Sequence, residues 1–264
     1  MTETDETAPS RSRVTVGDGP EHRDLAVLRR PGESPGLFWL GGYRSDMRGT
    51  KAEHIDRFGA TRGLTVTRFD YSGHGESGGS FNDGTISRWL EDAEAVFATT
   101  SGPQIVVGSS MGGWIALLLA KALREREECH RLTGLVLIAP AVDMTHDLMW
   151  QRMTKAQRAN LEATGLHLEP SPYGDEPMPI TKKLIDDGEK HRFGANLIET
   201  GCPVRILQGV EDAEVPPSHA AALVERLASD DAVLTLVKDG DHRLSRPEDL
   251  DLLRRTIEAV LTAD

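Results

Sequence analysis

Two serines stand side by side in Gly108-Ser109-Ser110-Met111-Gly112. The five residues fit G-x-S-x-G, whose third position carries a reactive hydroxyl, so the pattern selects Ser110 and leaves Ser109 as a packing residue. A serine hydroxyl is a weak nucleophile until a neighbouring base takes its proton. Among the nine histidines, His242 stands out. It lies in "LVKDGDHRLS", between the last strand pattern and the last helix pattern. Imidazole accepts and returns a proton near neutrality, which is the duty required. The base in turn needs an acid to orient it. "GVEDAEVP" offers Glu211, Asp212 and Glu214. The recurring form G-x-x-D-x-x-V-P, here Gly209 to Pro216, selects Asp212 and leaves Glu211 and Glu214 as solvated loop charges.

A tetrahedral oxyanion must also be held. The amide of Met111, at the start of a helix, is one expected donor. The second should come from the loop after an earlier strand: "LFWLGGYRS" places the Tyr43 amide there, although an ordinary glycine turn would read the same way. "GHGESG", residues 73–78, matches G-x-G-x-x-G, but "GSFNDG" separates it from the next helix, so a dinucleotide site is not expected and His74 reads as a loop-structuring residue. No Cys/His cluster has metal-ligand spacing. The expectation is catalysis with no cofactor and no metal.

The elements that would position these groups alternate. Strand patterns occupy 24–30, 36–40, 64–70, 104–109, 134–140, 203–209 and 232–237. Helical patterns occupy about 50–62, 85–100, 111–126, 217–228 and 247–262. Most of the strands are short and continuously apolar, as for a parallel sheet buried on both faces. The alternation predicts an α/β chain with right-handed crossovers and a mostly parallel, doubly wound sheet. A residue from Asp83 to Thr85 can cap the second helix, and Pro247 with two acids suits the first turn of the last. Residues 141–201 break the rhythm, with helical pieces and no convincing strand around "LEPSPYGDEPMP". Such a long insertion is read as a helical cap over the C-terminal edge of the sheet, where ligands bind in open α/β folds. Within it, Met144, Leu148, Met149, Trp150 and Met153 offer either an apolar wall for substrate or plain cap packing. The domains expected are a disordered tail at 1–20, a core at 21–140 and 202–264, and the cap.

Composition bounds the partners. The chain has 264 residues and a net charge of -12, which disfavours nucleic acid. Its longest apolar run, "WIALLLA", is too short to span a bilayer. The start, "MTETDETAPSRSR", is polar and lacks a secretory signal, so a cytoplasmic protein acting on a small-molecule or acylated substrate is expected. The two cysteines, Cys129 and Cys202, read as structural thiols, with a single bridge as the alternative.

The motifs taken together resemble the α/β-hydrolases, which use their triad in the order Ser, Asp, His. The segments "GYRSDMRGTKA", "RFDYSGHGESGG", "GPQIVVGSSMGGW", "GVEDAEVP" and "DHRLS" resemble the α/β-hydrolase domain-containing protein ten family of acyl-protein thioesterases, which also hydrolyse acyl glucuronides. The resemblance covers residues 42–246 and implies an α/β-hydrolase fold with the cap inserted after its sixth strand. It implies a catalytic triad of Ser110, Asp212 and His242, and oxyanion donors at Tyr43 and Met111. The family comprises mitochondrial enzymes with bacterial relatives, and the acidic start of this chain departs from a mitochondrial presequence, so the resemblance implies a bacterial relative. The function expected is a serine esterase or thioesterase working through an acyl-enzyme. An acyltransferase on the same triad, or a hydrolase-fold receptor without turnover, are the alternatives.

Overall fold

The computed structural model of the protein describes residues 8–171, 176–228 and 231–262. Its main sheet is built from β1 (Ser10–Val16), β2 (Arg23–Arg30), β3 (Glu33–Leu40), β4 (Leu64–Phe69), β5 (Gln104–Ser109), β6 (Leu132–Ile138), β9 (Val204–Gly209) and β10 (Ala232–Val237). The spatial order is β1-β2-β4-β3-β5-β6-β9-β10. Strands β3 to β6 and β9 and β10 pair in parallel, while β1–β2 and β2–β4 pair antiparallel. This is the mostly parallel, doubly wound sheet expected, and every strand read from the sequence is in it.

Alternate residues of the central strands go to opposite faces. Phe38, Leu40 and Val106 join the core against α2 (Ile86–Ala98), α3 (Met111–Glu125) and α6 (Pro217–Arg226). Leu37, Trp39, Ile105 and Val107 join the core against α1 (Thr50–Arg62) and α7 (Pro247–Leu261). Burial on both faces is why these strands read as unbroken apolar runs. Helix starts follow their local chemistry. The Thr85 hydroxyl accepts from the Arg88 amide at 3.1 Å, and Pro247 opens α7 behind an Asp249 carboxylate that accepts from the Arg246 amide at 3.0 Å.

The expected disordered tail is corrected over part of its length. Residues 1–7 lie outside the described residues, but Ser10–Val16 form β1, paired along its whole length with β2. This edge strand exposes most of its side chains, so it carries no apolar period. Backbone pairing holds it, with help from a Thr15 hydroxyl that donates to Asp24 at 2.7 Å and an Arg11–Glu76 ion pair.

The segment between β6 and β9 is not wholly helical either. A π-helical turn at Thr145–Trp150 leads to α4 (Lys155–Thr164). Two short strands follow, β7 (Leu166–Glu169) and β8 (Met178–Thr181), paired antiparallel, and then α5 (Lys182–Gly188). Part of the Pro/Gly-rich stretch expected between helical pieces, residues 172–175, lies outside the described residues. The two strands are four residues each and lie in a sheet of their own, too short to register as a pattern.

Candidate active site

Strand β5 passes into α3 through Ser110 alone, at φ 53° and ψ −117°. That strained conformation costs about 1–3 kcal/mol and survives only where the surroundings impose it. Here they do. The Ser110 amide donates to Ile138 at 2.9 Å, and its carbonyl accepts from Ala141 at 3.1 Å. A Cβ on Gly112 would stand 2.1 Å from the Leu40 carbonyl oxygen, and one on Gly108 would stand 2.4 Å from that of Gly112. Both positions therefore need glycine because strand and helix backbones meet there.

His242 reaches Ser110 from the loop between β10 and α7. Its Nε2 lies 3.1 Å from the Ser110 hydroxyl, and its Nδ1 lies 2.8 Å from Asp212 Oδ2. Asp212 is buried and fully engaged. Its Oδ1 accepts from the amides of Glu214 at 2.9 Å and Val215 at 2.8 Å, and Oδ2 also accepts from Gln208 Nε2 at 3.0 Å. Burial alone would push this carboxyl up, yet the hydrogen bonds and the charge of His242 hold it below the usual range. Ser109 ends β5 and is buried.

The turn after β3 abuts the serine: a Cβ on Gly42 would lie 3.4 Å from Ser110 Cβ. Tyr43 and Arg44 follow. The Tyr43 ring stacks edge-on against Phe81 and Trp89, and its hydroxyl donates to the Pro179 carbonyl of β8. Burial pushes that phenol well up from its ordinary range. Arg44 donates to the Pro177 carbonyl at 2.8 Å and pairs with Glu176 at 3.2 Å. Met111, the first residue of α3, is fully buried beside the same turn. Met111 follows Ser110 in the chain, and Tyr43 follows the Gly42 that approaches the Ser110 Cβ.

A cavity of about 940 Å³ opens over Ser110 and His242. Met144, Leu148, Met149 and Met153 from the cap line it, as does Tyr43. Trp150 does not share that wall, which corrects its expected place. Instead it packs with Met153, Leu161, Ile180 and Ile185 inside the cap, under the Arg158 guanidinium at 5.1 Å. Successive residues of a helix point in different directions, so 148, 149 and 150 do not all face one side.

Glu214 also departs from expectation. It is half-buried, lines the cavity and places Oε2 3.9 Å from His242 Nε2, while burial pushes its carboxyl up. Glu211 is exposed, as read from the sequence. Three further residues carry no motif. Gln208 braces Asp212. Arg152 of the cap donates to the Glu214 carbonyl at 2.8 Å. Lys51 at the start of α1 donates to the Arg243 carbonyl beside His242, and burial pushes its ammonium down to about 8. Among the described residues no group of three His, Cys, Asp or Glu side chains could hold a metal, and no helix is long and apolar enough to cross a membrane.

Residues 47–183 match the sequence family described as serine aminopeptidase, S33. Bovine (Bos taurus) palmitoyl-protein thioesterase ABHD10, mitochondrial, is 34% identical over 253 residues, which is 95% of this chain and 81% of the relative. Among solved structures, a hydrolase from Agrobacterium vitis S4 superposes with a TM-score of 0.92 at 51% identity, covering 96% of this chain and 98% of the other. Mouse α/β-hydrolase domain-containing protein 10 does so with a TM-score of 0.84 at 32% identity, covering 95% and 98%. The chain is an enzyme of the α/β-hydrolase superfamily and belongs to the serine hydrolase family that contains α/β-hydrolase domain-containing protein 10.

Proposed function

We propose that the protein hydrolyses thioesters or carboxylic esters of apolar acyl groups through an acyl-enzyme on Ser110. The observation that carries this reading is the unbroken chain Asp212–His242–Ser110, with contacts of 2.8 Å and 3.1 Å, at the floor of a methionine-rich cavity. In the reaction, His242 Nε2 takes the Ser110 proton as the hydroxyl oxygen bonds to the acyl carbon. The carbonyl oxygen gains negative charge and is held by the Tyr43 and Met111 amides, the latter at a helix N-terminus. Asp212, kept ionised by its hydrogen bonds, stabilises the imidazolium and fixes Nδ1 as its protonated nitrogen. The imidazolium gives its proton to the departing thiol or alcohol. A water then repeats the sequence on the acyl-enzyme and releases the acid.

The thioester part of the reading rests on the relatives named palmitoyl-protein thioesterase, and the apolar acyl group on the cavity wall, since flexible thioether side chains adapt to an acyl chain. Fluorophosphonate labelling followed by turnover of acyl thioesters tests the reading. Ser110→Ala should abolish labelling and lower kcat by about 10⁴ or more, leaving thermal unfolding near wild type. Near-normal turnover in that variant would reject Ser110 as the nucleophile. Appearance of the free acid, rather than its ester with an added alcohol, separates hydrolysis from acyl transfer.

A further inference from the structure

The loop that resembles a dinucleotide turn is not followed directly by a helix, yet it is densely hydrogen-bonded. Its centre is His74, buried at the junction of Tyr71, Phe81 and Trp89. Two hydrogen bonds define the imidazole. Nδ1 lies 3.2 Å from the Ser72 carbonyl, which can only accept, so Nδ1 carries the proton. Nε2 is left with its lone pair and accepts the Arg44 amide at 3.2 Å.

Arg44 is not an ordinary position. Its φ is 59°, a left-handed conformation that a residue with a side chain keeps only when held. It follows Tyr43 directly, in the turn that abuts Ser110. We propose that His74 is a positioning residue for the oxyanion step: by accepting the Arg44 amide it fixes the 42–44 turn, and so the placement of the Tyr43 amide. The inference rests on the reading of Ser110 as nucleophile and of Tyr43 as an oxyanion donor.

The rest of the loop supports that duty. Asp70 takes the Met47 amide at 2.6 Å, which fastens the 70–78 loop to the 41–47 turn, and the Glu76 amide at 2.7 Å, which closes the loop on itself. Ser72 is held from behind: its amide donates to Asp92 at 2.8 Å, and its carbonyl also receives the Trp89 indole N–H at 3.2 Å. Burial pushes the His74 imidazole down to about 4, so the lone pair on Nε2 is present across the neutral range. A phenylalanine would fill the same aromatic site without an acceptor. Glutamine would return an acceptor oxygen at a similar reach.

The test compares kcat and KM for a p-nitrophenyl acyl ester and its thiono analogue in wild type, His74→Phe, His74→Gln and Ser110→Ala, each checked for folding by thermal unfolding. Sulfur accepts hydrogen bonds poorly, so the oxo-to-thiono rate ratio reports the oxyanion donors. Losing one donor outright costs about 10²–10³ in kcat. His74→Phe should therefore lose about 10- to 100-fold in kcat, with KM within about twofold, and its oxo-to-thiono ratio should fall in step. His74→Gln should recover most of both. If His74→Phe does not fold, His74→Asn, whose amide falls short of Arg44, takes its place. A folded variant with unchanged kcat, or with kcat lowered and the ratio unchanged, overturns the proposal. Turnover that persists in Ser110→Ala overturns the parent reading instead.

Discussion

A histidine kept neutral inside a protein makes stability depend on pH. The folded chain leaves His74 unprotonated down to about 4, whereas an unfolded chain protonates it near the ordinary value of 6.5. Between those limits the unfolded state binds more protons, so the contribution of His74 to stability falls as pH drops from about 6.5 to about 4. Asp70 opposes this. Burial pushes it up to about 6, so the folded state takes up a proton before the unfolded one does, and stability rises as pH falls below about 6. His74→Gln removes the first effect and keeps the second. Urea midpoints measured at pH 7 and pH 5 should therefore shift in the variant's favour relative to wild type on acidification. Parallel changes in the two proteins would show that His74 titrates normally in the folded state.

At the scale of elements, the π-helical turn at Thr145–Trp150 divides the apolar residues of the cap between two duties. Leu148 and Met149 line the cavity, while Trp150 holds α4 and β8 together inside the cap. The two duties can be separated by acyl thioesters of increasing chain length. Each buried CH₂ is worth roughly 0.8 kcal/mol, so kcat/KM should climb about 15-fold per two carbons until the cavity is full. Met149→Ala should change the chain length at which the climb stops. Trp150→Ala should lower the stability of the cap and reduce kcat/KM for all chain lengths alike. If Met149→Ala leaves the profile unchanged, the acyl chain does not lie along this wall. The cap is also tied to the loops that carry the proposed reacting groups: Tyr43 and Arg44 bond to β8 and the residue before it, and Arg152 bonds to the loop after Asp212.

Across the whole molecule, a buried ion pair joins the outer strands to the site. The Arg23 Nε of β2 lies 2.6 Å from Asp92 Oδ1 on α2, and the other carboxylate oxygen takes the Ser72 amide ahead of His74. Neither Arg23 nor Asp92 exposes its side chain. Removing one member of such a pair strands the other without solvent. Asp92→Ala leaves a guanidinium that cannot shed its proton and an amide without its acceptor, although Glu91 still contacts Arg23. Urea unfolding should show a loss of about 3–5 kcal/mol. A loss below about 1 kcal/mol would mean that Glu91 and relaxation compensate, and that the pair does not brace the 70–78 loop.

The order and character of the core elements follow from the sequence because their physics is local. A strand buried on both faces must be continuously apolar, as "QIVVGS" is, and a helix with one buried stripe repeats near 3.6 residues. The residues proposed for the triad were legible for the same reason: the glycines at 108 and 112 record a close approach of strand and helix, and Asp212 and His242 sit in loops that a parallel sheet brings to one edge. Tertiary structure decided what depends on neighbours distant in the chain. β1 has no apolar period and exists because β2 offers it a backbone edge. Glu214 looked like a solvated charge until the fold placed it beside His242. Trp150 shares a sequence stretch with the cavity wall and faces away from it, since a helix sends adjacent residues in different directions. His74 takes its meaning from Arg44, thirty residues earlier, and no local pattern encodes a hydrogen bond between two loops.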